Sequence, residues 1–133
     1  MTYAPDANIV IQLLRKHTHV VAQFDSTIRK NANIVIPPVV HYAVLRGFLY
    51  KPAMGKEKAY NKFCNLHSVG KMTKKMWNQA ARIYANLRKK GYTVSDADIL
   101  IAAFCMANDY TLVTNNIKDY GNIEGLLIEN WVN

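Results

Sequence analysis

The sequence predicts an α/β fold with a short, mostly parallel central sheet flanked by helices. Short apolar runs rich in β-branched residues alternate along the chain with longer segments in which apolar residues recur at helical spacing. Strands that are separated by helices are joined by right-handed crossovers, which make the strands parallel. The 133 residues fit a single domain, 1–133, and half of them are hydrophobic, which is sufficient for a core.

The predicted strands are four short runs bounded by residues that end regular structure. Pro5 ends the first run, Pro37 and Pro38 end the second, and Asn115 and Asn116 end the third. The second run is wholly apolar and β-branched, which is typical of a parallel strand buried on both faces. The predicted strands are Thr2–Ala4, Ile34–Ile36, Tyr110–Thr114 and Leu126–Glu129.

The segments between these strands have the periodicity of helices. The third helix begins at the two prolines, because proline is tolerated in a first helical turn. Two later helices are predicted to form a helical hairpin excursion, and Gly91 follows the second of them as a left-handed C-cap. The predicted helices cover 8–14, 20–28, 37–50, 57–67, 73–90 and 99–103, with a short helical turn around residue 118.

The composition excludes several classes of protein. An apolar half and a charged fifth exclude a disordered chain, a collagen-like fibre and a disulfide-stapled miniprotein. Cys64 and Cys105 lie in helical patterns and are expected to be buried free thiols. The chain has no signal-peptide pattern and no apolar run of the roughly 20 residues that a bilayer span needs. We therefore expect a soluble, cytoplasmic protein with no membrane partner.

The charge balance is strongly basic. Seventeen Lys and Arg residues face nine Asp and Glu residues, and the net charge is +8. Such a surface attracts RNA, DNA or an acidic protein segment. The alternative is a set of solvated helix faces and helix C-terminal turns, where cations complement the helix dipole. The basic clusters are 15–16, 29–30, 71–75 and 88–90.

Oxygen-bearing side chains are predicted to gather where the parallel strands end. In open parallel sheets, ligands bind beyond the carboxyl ends of the strands. Oxygen ligands suit the hard cations Mg²⁺ and Mn²⁺, and the chemistry that suits such a site is phosphoryl transfer or phosphodiester hydrolysis. The set comprises Asp6, Asp96, Asp98 and Asn116, with Asp119 behind them.

Each member of this set also has a purely structural explanation. Asp6 suits a helix N-cap, Ser95 and Asp98 fit a capping box, and Asn116 suits a cap or an Asx turn. None of these explanations requires the side chains to gather at one edge. Residues two apart on a helix do not face each other, so Asp96 and Asp98 are not expected to ligate one ion equally. Asp98 is the expected ligand, together with Asp6.

Several residues near the third helix are candidates for contact with substrate phosphate. They are His41, Tyr42 and Arg46, for which a solvated or packing role is the alternative. The aromatic residues Phe48, Tyr50 and Trp131 are assigned to the core or to an interface instead of to base stacking.

Four segments, in order along nearly the whole chain, resemble the motifs of PIN-domain ribonucleases. They are Asp6-Ala7-Asn8, residues 38–47, residues 96–103, and residues 112–116 with Asp119-Tyr120. The closing segment, 125–131, is similar to the tail of the VapC toxins. The resemblance implies a PIN domain that acts as the ribonuclease of a bacterial or archaeal toxin–antitoxin pair.

The resemblance also implies a cofactor, partners and site residues. VapC toxins cut RNA, often tRNA, with Mg²⁺ or Mn²⁺ held by a small acidic quartet. They are usually homodimers, and a cognate antitoxin silences them by wrapping its C-terminal segment over the site. Carried over by position, Asp6 and Asp98 become the main metal carboxylates, with Asn116 and Asp96 in support.

One position departs from the family pattern. PIN-domain ribonucleases have a glutamate before the Leu-Arg-Gly stretch of the second motif, and here that position is Ala43. An alanine neither binds a metal nor orients water, so catalysis is expected to be weakened or lost. The chain is then either an engineered, detoxified form or a natural variant, and the intact neighbouring motif residues favour engineering.

Three other classes of protein are alternatives to this interpretation. A PIN-like module that holds RNA or a partner without cutting is the main alternative, since Ala43 and the basic clusters fit it. A phosphoacceptor receiver domain is excluded because Pro37 and Pro38 stand where an acceptor aspartate would follow a central strand. A dinucleotide-binding enzyme is disfavoured because no Gly-x-Gly-x-x-Gly follows any predicted strand.

Overall fold

A computed structural model describes all 133 residues and contains one five-stranded sheet. Every neighbouring pair of strands is parallel, and the strand order is β3-β2-β1-β4-β5. The strands, numbered along the chain, are β1 Thr2–Pro5, β2 Asn33–Ile36, β3 Ser68–Val69, β4 Thr111–Val113 and β5 Ile128–Glu129. The predicted α/β class and parallel sheet are confirmed.

Seven helices flank the sheet. The predicted apolar helix after Ser95 starts at Asp96, and its N-cap is Ser95 as the capping pattern indicates. None of the helices has the length and apolar character needed to cross a membrane. The helices are α1 Ala7–Leu14, α2 Thr18–Arg29, α3 Pro38–Tyr50, α4 Met54–Leu66, α5 Lys74–Lys89, α6 Asp96–Asn108 and α7 Ile117–Tyr120.

Strand β3 is absent from the sequence prediction, and it corrects the expected hairpin of α4 and α5. It lies between the two helices and pairs with β2, with Ser68 opposite Val35 and Val69 opposite Ile36. Helix α5 then packs chiefly against α6. A strand of two residues has too few side chains to show an alternating pattern, and only its pairing with β2 makes it a strand.

Apolar side chains form a core on both faces of the sheet. The larger cluster joins the sheet to α3, α5 and α6, and a smaller cluster includes Ile9, Val20 and Trp131. Trp131 is only 2% exposed, and its ring centroid lies 5.6 Å from that of Tyr3. The core assignment of Trp131 is therefore confirmed, and half-buried Phe48 packs against the larger cluster.

Two expectations about burial need correction. Tyr50, the last residue of α3, is 87% exposed, so of the two predicted roles, core or interface, the core role was wrong for this residue. Cys64 and Cys105 are both free thiols, but only Cys105 is fully buried and Cys64 is half-buried.

Replacing Trp131 with alanine tests the smaller core cluster. Trp131→Ala is expected to lower the free energy of unfolding by about 4 kcal/mol, because it removes a fully buried aromatic side chain. It also removes the indole N–H that donates to Glu129 Oε1 at 3.0 Å. Tyr50→Ala is the matched control and is expected to change stability by less than about 0.5 kcal/mol. Equal effects of the two substitutions in urea denaturation would contradict this arrangement of the core.

Candidate functional site

Asp6 lies directly beyond the carboxyl end of β1. Its backbone N–H donates to Val113 O at 2.8 Å, which continues the pairing of β1 with β4 by one residue. Its carboxylate is the N-cap of α1, with Oδ1 accepting from Ala7 N at 2.8 Å. The other oxygen, Oδ2, accepts from the Thr114 hydroxyl at 2.8 Å. The cap and the neighbouring strand together fix the orientation of this carboxylate.

Asp98 reaches the same edge of the sheet from the first turn of α6. Its backbone N–H donates to Ser95 Oγ at 3.2 Å, so Ser95 caps the helix. Its carboxylate is half-buried and accepts from the Tyr120 hydroxyl at 3.0 Å and from Asn116 Nδ2 at 3.4 Å. The Ser95 cap thus fixes the backbone of Asp98. The Asp98 carboxylate takes no part in this cap and accepts hydrogen bonds from Tyr120 of α7 and from Asn116, the N-cap of α7.

Asn116 connects the other residues of the site. Its side-chain amide donates to Asp98 Oδ2 at 3.4 Å and to Asp119 Oδ2 at 3.3 Å. Its Oδ1 accepts from Asp119 N at 3.4 Å and so caps α7. Its backbone N–H donates to Thr114 Oγ1 at 3.0 Å. A chain of hydrogen bonds therefore runs from Asp6 through Thr114 and Asn116 to Asp98 and Asp119.

The two carboxylates, Asp6 and Asp98, influence each other and their neighbours electrostatically. Burial raises the pKa of Asp6, the nearby charge of Asp98 raises it further, and hydrogen bonds from Thr114 and Ala7 partly oppose this rise. Burial and the charges of both carboxylates raise the pKa of Tyr120, so its hydroxyl stays protonated and donates to Asp98. Burial, followed by the charge of Asp6, raises the pKa of the Cys105 thiol to about 12.

Other residues of the predicted site lie apart from this hydrogen-bonded group. Asp96 is exposed at the first position of α6 and has no side-chain hydrogen bond to the group. His41 Nδ1 is 2.7 Å from the hydroxyl of buried Tyr60, and the two rings stack with centroids 5.7 Å apart. These contacts fit the packing alternative for His41, and its contact with substrate phosphate stays a prediction.

Three further residues of the second motif, Tyr42, Ala43 and Arg46, face outward or line a groove. Arg46 is exposed, and its guanidinium lies over the ring of exposed Tyr42 at 5.1 Å from the centroid. Ala43 lines a cavity of about 260 Å³ between α1 and α3. No Asp or Glu side chain lines this cavity, and Ala43 and Gly47 form part of its wall on α3.

Two residues to which the sequence alone assigned no role hold the carboxylates in place. Thr114 is fully buried and links Asp6 to Asn116, and Tyr120 is fully buried and donates to Asp98. Thr114 ends a predicted strand and Tyr120 follows Asp119 in the fourth motif. The sequence held no local signal for either contact, because Thr114 is 108 positions from Asp6 and Tyr120 is 22 positions from Asp98.

The donor set fits a hard divalent cation, although it is small. No group of three or more His, Cys, Asp or Glu side chains is arranged to hold a metal ion. The single ion pair of the protein joins Lys90 to Glu124, so no cationic side chain neutralises Asp6 or Asp98. Mg²⁺ usually takes only one or two carboxylates and retains several waters. Asp6 and Asp98 therefore match the number and kind of carboxylates that Mg²⁺ takes. The amide oxygen of Asn116 instead accepts from Asp119 N, and its Nδ2 faces Asp98.

The fold and these motifs define the family. The family model for the PIN domain matches residues 3–121, and the chain belongs to this family. It is 29% identical over 136 residues to Ribonuclease VapC2 of Rickettsia felis, with 98% of each chain covered.

Solved structures of two bacterial complexes are also similar. VapBC2 from Rickettsia felis bound to a promoter DNA fragment has a TM-score of 0.89 and 27% identity, covering 98% of this chain and 99% of that one. VapBC-1 from nontypeable Haemophilus influenzae has a TM-score of 0.88 at 20% identity, with all of both chains covered. The second likeness shows the fold alone.

Neutralising Asp6 is expected to make the stability of the metal-free protein less dependent on pH. The pKa of Asp6 is raised in the folded protein, so the folded state binds a proton at this carboxylate more tightly than the unfolded chain does. The free energy of unfolding therefore falls as pH rises from the ordinary aspartate range through the raised pKa. Asp6→Asn removes this pH-dependent loss and keeps the N-cap oxygen, although its single amide oxygen cannot accept from both Ala7 and Thr114. We expect the melting temperature of Asp6→Asn, relative to wild type, to be more favourable at pH 7 than at pH 4.

Asp96→Asn is the control for this experiment, because Asp96 is an exposed carboxylate on the neighbouring helix. The melting temperature of Asp96→Asn relative to wild type should not show the pH dependence expected for Asp6→Asn. A loss of stability in Asp6→Asn that is equal at both pH values would contradict the electrostatic account.

Proposed function

We propose that this protein is a metal-dependent endoribonuclease toxin of a toxin–antitoxin pair in which Ala43 weakens or removes catalysis. The observation that carries the proposal is the convergence of Asp6, Asp98 and Asn116 at the carboxyl edge of the sheet in a PIN domain. A relative named as a ribonuclease, similar over 98% of its length, supports the same reaction class.

Asp6 and Asp98 would hold Mg²⁺ or Mn²⁺, with Asn116 in support. Such a cation stabilises the charge that grows on a phosphate and lowers the pKa of water. The position of Asp98 within the hydrogen-bonded group favours it over the exposed Asp96 as the ligand. Asp96 then acts at most in support, through its charge in the first turn of α6.

The neighbouring side chains orient the two carboxylates. Thr114 donates to Asp6 and Tyr120 donates to Asp98, which restricts the rotation of both acids before a cation binds. Arg46, exposed on α3, is the candidate contact for substrate phosphate. His41 is occupied by Tyr60, which supports a positioning role for His41 within α3.

The proposed partners are an antitoxin protein, an RNA substrate (tRNA is the candidate) and a second copy of the chain in a homodimer. The similar solved structures are VapBC complexes, one of them bound to promoter DNA, which supports an antitoxin partner. The net charge of +8 supports a polyanionic substrate.

A second candidate function is an RNA- or partner-binding PIN module that does not cut. The specific observation that favours it is the alanine at position 43 together with the lack of any three-acid group. The two functions predict different effects on RNA cleavage when a carboxylate is restored at position 43.

Restoring the glutamate distinguishes these functions. Ala43→Glu is expected to raise Mg²⁺-dependent cleavage of total tRNA by at least about tenfold, since even outer-shell partners of a metal typically contribute 10–100-fold. Ala43→Gln is the matched control, because it has the same shape without the charge and should stay near wild type. Cleavage is measured with purified protein by gel electrophoresis, with EDTA as the blank.

Asp6→Asn and Asp98→Asn in the Ala43→Glu background identify the carboxylates responsible. Each is expected to return cleavage to the wild-type level, and neither doubly substituted protein should arrest growth when expressed. If Ala43→Glu and Ala43→Gln cut equally, or if cleavage persists without Asp98, the proposed catalytic role of this edge is wrong.

A further inference from the structure

Helix α5 carries most of the excess positive charge of the molecule. Its sixteen residues include five Lys or Arg residues and no Asp or Glu, so α5 supplies five of the eight net charges. All five side chains are exposed, and none takes part in the single ion pair of the protein. The five cations are Lys74, Lys75, Arg82, Arg88 and Lys89.

Two of these cations are placed where they oppose the stability of the helix. Lys74 and Lys75 are the first two residues of α5, next to the positive end of the helix dipole. Neither has an acidic residue three or four positions along the helix that would offset this cost. Cations in the last turn, such as Arg88, favour the helix, but the first-turn pair has no such explanation.

Aromatic rings are exposed on one flank of the same helix. Trp77 and Tyr84 lie two turns apart, about 10 Å along the axis, and are 53% and 44% exposed. The guanidinium of Arg88 lies over the ring of Tyr84, 5.3 Å from its centroid, and Nε donates to the hydroxyl at 3.2 Å. Ala81 lies between the two rings, so a flat ligand meets no bulky side chain there.

We infer that this flank of α5, comprising Lys74, Trp77, Ala81, Tyr84 and Arg88, docks single-stranded RNA. Exposed aromatic rings beside unpaired cations are the means by which proteins bind single strands without sequence readout, with bases stacked on the rings and phosphates near the cations. The inference rests on the proposed function for its ligand. It adds a surface separate from the carboxylate edge that the proposed reaction uses.

The position of the flank suits a substrate that also reaches the carboxylates. Six residues, 90–95, connect α5 to α6, and the two helices pack against each other. The C-terminal turn of α5, with Arg88, is therefore close in the chain to the first turn of α6, with Asp98. A strand docked on α5 can extend toward the site.

A second copy of the chain is a poorer occupant of this flank. A symmetric dimer through α5 would place the five cations of one helix against the five of the other, and like charges across an interface are unfavourable. An acidic peptide would match the charge but would not use the flat faces of Trp77 and Tyr84 as bases do.

Fluorescence anisotropy with a short labelled single-stranded RNA tests the surface. The Ala43 protein is used as it is, in EDTA, so that binding is measured without cleavage. Trp77→Ala and Tyr84→Ala are each expected to weaken binding about tenfold, as loss of one stacked base does. Trp77→Phe should retain most of the affinity. Tyr50→Ala, at an exposed tyrosine on α3, should leave the affinity unchanged.

A charge-reversal pair supplies a second, matched comparison. Lys74→Glu with Lys75→Glu should weaken binding and make its salt dependence shallower, by roughly 0.7 in slope for each phosphate that the protein no longer neutralises. The control is Lys56→Glu with Lys58→Glu near the start of α4, which changes the net charge equally. Acids in a first turn favour a helix, so the substitutions at Lys74 and Lys75 should not lower the melting temperature.

The outcomes separate this inference from the proposed function. Unchanged affinity in the Trp77 and Tyr84 variants, or equal losses of affinity in the two charge-reversal pairs, would overturn the docking surface even if Ala43→Glu cleaves RNA. A smaller sedimentation mass for Trp77→Ala with unchanged RNA affinity would overturn it in favour of an interface between copies. Selective loss of binding in the α5 variants supports the surface, even if Ala43→Glu fails to cleave.

Discussion

The pairing of β1 with β4 positions the whole candidate site. Their register places Pro5 opposite Val113, so the next residue of each strand, Asp6 and Thr114, emerges at the same edge. The hydroxyl of Thr114 donates to Asp6 and accepts from the backbone of Asn116, whose side chain then reaches Asp98. A slip of one residue in this register would turn the side chains of β4 to the opposite face and remove Thr114 from Asp6.

Helix capping and metal binding are usually regarded as competing explanations for acids at helix starts, but here the same contacts serve both. The cap of α1 holds Asp6, the Ser95 cap places Asp98 in the first turn of α6, and the cap of α7 holds Asn116. Local backbone groups fix each side chain, and long-range strand pairing brings the three together. The resulting pair of acids forms no ion pair with a cationic side chain.

Most of the fold was predictable because it depends on local patterns. Apolar runs indicated β1, β2 and β4, and proline, serine and asparagine residues marked where neighbouring helices begin. Strand β3 was not predictable, since only its pairing with β2 defines it. The partners of the site residues were also missed, because Tyr120 reaches Asp98 across 22 positions of sequence and Tyr60 reaches His41 across 19. Sequence patterns report which residues are polar, whereas the hydrogen-bond partner of each depends on the tertiary fold.

The candidate site requires Asp6 and Asp98 to lie close enough for the charge of one to shift the pKa of the other. Carboxyl-carbon NMR titration of metal-free protein measures this proximity without reference to metal or activity. Removing the charge with Asp98→Asn should lower the pKa of Asp6, because the Asp98 carboxylate contributes to its elevation. Asp96→Asn, which removes an exposed carboxylate two residues from Asp98, should leave the pKa of Asp6 nearly unchanged. An Asp6 pKa that is the same in wild type and Asp98→Asn, or that responds equally to both substitutions, would contradict the account.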